Sequence, residues 1–160
     1  MQDLLPVAAR IGERLKARRE TIAISESSTG GLLSAALLSV PGASAYFMGG
    51  AVVYTRPAAD AFLAVPREKR AGVRSSSEPW ALLAAEHVQE RLKTAWALGE
   101  TGAAGPTGNS YGDPAGHTCF AILGPGVRIA KTLRTGSQDR VANMRTFARE
   151  ALLLLEAQIT

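Results

Sequence analysis

The sequence predicts an α/β protein: a three-layer α/β/α sandwich around a mixed, mostly parallel sheet. Three observations carry that expectation. Short β-branched or apolar runs alternate with stretches of helical periodicity over the first hundred residues, the pattern of parallel strands joined by covering helices. Two apolar runs near the end, Thr118 to Leu123 and Val127 to Leu133, are separated only by Gly124-Pro125-Gly126, a hairpin signal that adds an antiparallel pair. A final amphipathic stretch returns to helical spacing.

Each element has its own reason. Leu4, Val7, Ala8, Ile11 and Leu15 recur at helical spacing with charges between them, so the chain opens on an amphipathic helix. Thr21 to Ile24 is a short strand, Ser25 to Gly31 a polar small-residue turn, and Leu32 to Val40 a buried Leu- and Ala-rich helix stopped by Pro41-Gly42. Gly50 to Tyr54 reads as a buried strand. Pro57 to Val65 reads as a short helix, and Arg67 to Ala71 as one further turn. Ser77 is the expected N-cap of a helix with Pro79 in its first turn and Ala81, Ala84, Ala85, Val88 and Leu92 on its apolar face. Ala95 to Leu98 is a strand leading into a glycine-rich loop from Gly99 to Gly116, long enough to expect a function of it. After the hairpin, a helix from Gln138 to Ala157 should bury Val141, Met144, Ala148, Ala151, Leu152 and Leu155.

Composition narrows the class. The 160 residues are 46% hydrophobic and 20% charged, which fits one globular domain over residues 1–160. One cysteine, Cys119, excludes a disulfide framework, and two histidines, His87 and His117, leave few metal ligands. The formal charge of +4 is mild: it favours small anions without demanding nucleic acid. No apolar run approaches the length of a membrane span, and charges interrupt the first nineteen residues, so neither a membrane segment nor a signal peptide is expected. The expected compartment is the cytoplasm.

Two loops could carry chemistry. Glu26-Ser27-Ser28-Thr29-Gly30-Gly31 follows a strand and enters a helix, where free N–H groups and the helix dipole would face whatever sits there. Its hydroxyls could cap the helix, bind an anion or supply a nucleophile. Thr101-Gly102-Ala103-Ala104-Gly105-Pro106-Thr107-Gly108-Asn109 lacks bulky side chains and permits close approach of its backbone to a ligand. Arg67, Lys69, Arg70 and Arg74 form a basic cluster without interleaved aromatic residues, a weak signal for nucleic acid. Trp80, Trp96 and Cys119 read as packing residues.

Together the two loops resemble a known pattern. Glu26-Ser27-Ser28-Thr29-Gly30-Gly31 is similar to the Glu-Ser-Cys-Thr-Gly-Gly signature of the CinA C-terminal domain family, which includes bacterial nicotinamide mononucleotide deamidases. The likeness continues through Pro41-Gly42-Ala43-Ser44, Tyr46-Phe47, Gly50, Tyr54, Val65, Ser77-Glu78, Thr101-Gly102, Ala104-Gly105-Pro106, Gly108, Pro114 and Gly116. The resemblance implies metal-free and cofactor-free hydrolysis of a nucleotide carboxamide to the carboxylate and ammonia. It implies Ser27 as nucleophile with Tyr54 and Thr101 as catalytic partners. Ser28, Thr29, Gly30, Gly31, Arg56, Gly102, Gly105 and Arg140 would bind a small anionic nucleotide-like ligand. It also implies a homodimer.

This sequence departs from the pattern at telling places. The family lysine expected to serve as base, five residues after the tyrosine, is Ala59. The usual Asn is Arg56, the usual Cys is Ser28, and Lys-Pro-x-Gly-Thr reads Asp113-Pro114-Ala115-Gly116-His117. Gly-Asp-Arg reads Gln138-Asp139-Arg140 and keeps the arginine. His117 is a candidate replacement base, its ordinary pKa suiting that work. Three readings stand: an amidohydrolase with a rewired site, a non-catalytic nucleotide-binding module, or a partner-binding structural homologue.

Overall fold

A computed structural model describes residues 1–160. Helix α1 (Leu5–Arg18) follows a short 3-10 turn and leads to strand β1 (Ile22–Glu26), helix α2 (Leu32–Leu38) and strand β2 (Phe47–Val52). Helices α3 (Arg56–Phe62), α4 (Arg67–Arg70) and α5 (Glu78–Leu92) come next. Strand β3 (Trp96–Ala103), the hairpin β4 (His117–Gly124) and β5 (Val127–Arg134), and helix α6 (Arg140–Gln158) complete the chain. The five strands form one sheet in the order β2-β1-β3-β4-β5. β1 pairs parallel with β2 and β3, β3 pairs antiparallel with β4, and β4 with β5, so only β4 runs against the rest.

The sandwich follows from alternation along the strands. Ile22 and Ile24 of β1, Trp96 and Leu98 of β3, and Phe120 and Ile122 of β4 turn one way, into a core closed by α1, α2 and α6. Ala23, Ala97 and Leu123 turn the other way, onto α5 and the α3 segment. The second face is made of small residues, so α5 comes close. A Cβ on Gly99 would lie 2.2 Å from the Ala81 carbonyl oxygen. Trp96 fills the larger core, and its indole N–H donates to Glu20 at 2.6 Å.

Caps fix the helix starts. Ser77 accepts the Trp80 N–H as expected, while Thr55 and Asp139 do the same for α3 and α6.

Several expectations are corrected. β2 begins at Phe47, three residues before the predicted start, and is a half-buried edge strand rather than a buried one; Tyr54 lies beyond its end. Gly50, the expected first residue of the strand, lies within it, and α2 sits close over it: a Cβ on Gly50 would meet Ser34 Oγ at 2.2 Å. β3 runs through Ala103, so Thr101 and Gly102 belong to its end and the loop shrinks to residues 104–116. α2 stops at Leu38, which is exposed. Leu92 and Val141 are also exposed, at the last residue of α5 and the second of α6. In α6 the buried stripe includes Asn143 and Phe147 instead.

Candidate functional site

The C-terminal ends of β1 and β3 lie side by side, where open α/β sheets place their sites. Each of these strands brings a glutamate to that end, and both glutamates are fully buried: Glu26 and Glu100. Glu26 accepts the N–H groups of Gly31, Leu33 and Ser34 at 3.0–3.1 Å and the Ser34 hydroxyl at 2.6 Å. Glu100 accepts the N–H groups of Ser27 and Thr29, each at 3.0 Å, and the Thr118 hydroxyl at 2.8 Å. The Ser28 hydroxyl also donates to Glu100. The Thr29 hydroxyl lies between the two carboxylates, 2.8 Å from Glu26 and 3.0 Å from Glu100.

These contacts change the reading of the serine loop. The N–H groups expected to face a ligand are spent on the protein's own carboxylates. From Ser27 to Ser34, Ser28 alone has an amide with no acceptor. Thr29 is fully buried and lines neither cavity of the site, and Gly30 and Gly31 serve the turn with φ of +64° and +99°. Sequence reasoning passed over Glu100 because it fell inside the predicted Gly99–Gly116 loop, whereas β3 runs through it. The available signal was its place in the apolar run from Trp96, directly before Thr101-Gly102.

Above this buried layer lies a cavity of about 490 Å³. Ser27, Tyr54, Arg56, Ala59, Thr101 and Gly102 line it, with Arg70, Arg74, Trp80 and Tyr111 around the rim and walls. Ser27 is half-buried and its hydroxyl makes no protein hydrogen bond. Thr101 Oγ1 accepts the Ser76 N–H at 3.2 Å, which ties β3 to the segment before α5. The lining holds three arginines and no Lys, His, Asp or Glu.

A second cavity of about 260 Å³ adjoins the first across Tyr54 and Gly102, and is lined also by Ser28, Gly105 and Arg140. Arg140 donates to the Gly105 carbonyl at 2.6 Å and to the Tyr54 hydroxyl at 3.2 Å, and its guanidinium lies 5.9 Å from the Tyr54 ring centre. The sequence-predicted residues therefore gather around two joined hollows, except Thr29, Gly30 and Gly31.

His117 is not in the site. It is buried on β4 with Nε2 2.9 Å from the Ser76 carbonyl oxygen, a contact that requires a proton on that nitrogen, and its Nδ1 has no partner. It stands behind the cavity wall, 3.6 Å from Asp113. Asp113 accepts both arms of Arg74 at 2.6 and 3.1 Å, and this guanidinium holds its carboxyl below the usual range. Burial pushes the Cys119 thiol up, so it stays an inert thiol inside the sheet. No group of three or more His, Cys, Asp or Glu side chains is placed to hold a metal ion. No helix is long and apolar enough to cross a membrane.

Comparison with known proteins places this arrangement. Residues 4–159 match the model of the CinA C-terminal domain. A CinA-like protein of Anaeromyxobacter sp. (strain Fw109-5) is 41% identical over 148 residues, covering 92% of this chain and 36% of that protein. The chain thus spans about a third of the length of the relatives it matches. Among solved structures, the competence/damage inducible protein CihA from Agrobacterium tumefaciens superposes with a TM-score of 0.90 at 30% identity, covering 99% of this chain and 96% of that one. A CinA superfamily protein from Klebsiella pneumoniae gives 0.90 at 27% identity, covering 98% and 97%.

Proposed function

Since the chain belongs to the CinA C-terminal domain family, we propose that its larger cavity binds a nicotinamide-mononucleotide-type carboxamide against Ser27, with hydrolysis slowed by the loss of the base. Tyr54, Arg56, Thr101 and Gly102 line the cavity beside Ser27 and support the binding half of this reading. Arg140, Ser28 and Gly105 extend it into the adjoining hollow.

One observation carries the catalytic half: Ala59 shares the cavity with Ser27, and that lining holds no Lys, His, Asp or Glu side chain to serve as a base. Attack by Ser27 Oγ on the carboxamide carbon releases a proton, and the departing nitrogen needs one to leave as ammonia. Without a positioned base for that transfer, the rate falls by about 10²–10⁴-fold. The amide of Ser28, directly after the nucleophile and free of any acceptor, favours residual rather than zero turnover, because such a donor can stabilise the tetrahedral oxyanion. A homodimer is proposed alongside; Leu38 on α2 and Met48 and Val52 on edge strand β2 leave apolar side chains exposed for it.

The test pairs calorimetric binding of nicotinamide mononucleotide with ammonia release, on the parent protein and on Ala59→Lys. The expected outcome is saturable binding to both and slow release by the parent. Release should rise by at least about 10²-fold in the variant. Absence of binding, or parent turnover at an ordinary enzymatic rate of about 10 s⁻¹, overturns the proposal.

A further inference from the structure

The basic cluster of the sequence is built into the rim of the site. Arg56, Arg67, Arg70 and Arg74 line a groove of about 580 Å³ together with Asp60, Ala71, Gly72 and Val73. Arg56, Arg70, Val73 and Arg74 line the larger cavity as well, so groove and cavity are continuous. Four guanidiniums face one carboxylate in the groove, that of Asp60, which pairs with Arg70. Arg74 is held by Asp113 from outside it. Arg56 and Arg67 have no carboxylate partner and no side-chain hydrogen bond.

We propose that this groove takes the diphosphate of a ligand whose other end sits in the larger cavity, so that the site is shaped for a dinucleotide-like molecule rather than a mononucleotide alone. The inference rests on the reading of that cavity as a nucleotide site. A guanidinium engages a phosphoryl group through two parallel N–H···O bonds. Two unpaired guanidiniums in one groove therefore match two phosphoryl groups. The groove is lined by no aromatic side chain, so it offers no platform on which bases of a nucleic acid would stack.

The experiment is calorimetry at about 0.1 M salt, where exposed charges are screened beyond about 10 Å. The ligands are inorganic phosphate, inorganic pyrophosphate, nicotinamide mononucleotide, NAD and an oligothymidylate. Pyrophosphate should bind more tightly than phosphate, and NAD more tightly than the mononucleotide. Arg67→Gln, at an exposed residue that lines only the groove, should weaken pyrophosphate and NAD about tenfold and leave the mononucleotide unchanged. Asp60→Asn should tighten pyrophosphate, since it removes the groove's only carboxylate.

Pyrophosphate no tighter than phosphate, or unaffected by Arg67→Gln, overturns the inference. So does an equal loss for the mononucleotide, which marks a general charge effect, and so does oligothymidylate binding that exceeds both. If the mononucleotide fails to bind while pyrophosphate responds to both variants, the cavity reading falls and the diphosphate groove stands.

Discussion

Glu26 and Glu100, at the ends of neighbouring parallel strands, share one hydroxyl: Thr29 Oγ1 lies 2.8 Å from the first carboxylate and 3.0 Å from the second. A hydroxyl has one proton to give, so Thr29 donates to one glutamate at a time, with its oxygen in reach of both beneath the serine loop. Thr29→Val keeps the shape and removes the donor. It should destabilise the protein by about 2 kcal/mol in urea unfolding. Glu100→Ala strands the amides of Ser27 and Thr29 together with the Ser28 hydroxyl, and should cost at least about 3 kcal/mol. A smaller effect for the glutamate than for the threonine would contradict this arrangement.

Acid should act through Asp113. Arg74 above all, then Asn109 and the nearby His117, hold its carboxyl below the ordinary range, although its own burial pushes the other way. A carboxylate with a depressed folded-state pKa contributes stability above the unfolded value of about 3.9, and that contribution fades as pH falls through the lower folded value. Parent and Arg74→Ala should therefore differ most at neutral pH, and their stabilities should converge below about pH 4. A gap that persists unchanged at low pH would show that Arg74 acts by packing and not by charge. Thermal unfolding followed by circular dichroism across the pH range decides it.

The close seat of α5 is also measurable. A methyl at Gly99 would meet the Ala81 carbonyl oxygen at 2.2 Å and the Ala85 nitrogen at 3.0 Å, both backbone atoms that cannot rotate away. Gly99→Ala should cost about 3 kcal/mol, near the upper end for overpacking. Gly72→Ala meets nothing within 4 Å, so its cost comes only from its left-handed backbone at φ +75° and should be about 1 kcal/mol. Chemical denaturation of the two variants gives the comparison.

The layered architecture was legible because strand and helix periodicities are local. Ser77 announced its helix by cap chemistry, and the hairpin announced itself by Gly-Pro-Gly. Element edges were less legible where tertiary contact overrides local preference. β2 reaches back to Phe47 because it pairs there with Ile22 of β1, and Asn143 is buried because its side-chain amide donates to the carbonyls of Ala104 and Ser137. The serine and tyrosine of the site could be read from the order of motifs. The bonding of the buried glutamates was harder to read, because many of their partners are backbone amides, which carry no sequence signature. His117 looked free to act as a base, yet the Ser76 carbonyl forty-one residues away in sequence claims its outward nitrogen.

The carboxylate of Glu26 occupies the place at the start of α2 where an anion would otherwise dock. If the rim groove takes phosphoryl groups as proposed, discrimination among ligands falls to its arginines rather than to the fixed main chain. A rim arginine such as Arg67 is exposed and supports no other group, so its gain or loss leaves the fold untouched. On that proposal, single surface exchanges would change which phosphorylated ligand is held, while the two glutamates beneath keep the loop in place. Selectivity would then be set at the surface, separately from the buried frame that holds the loop.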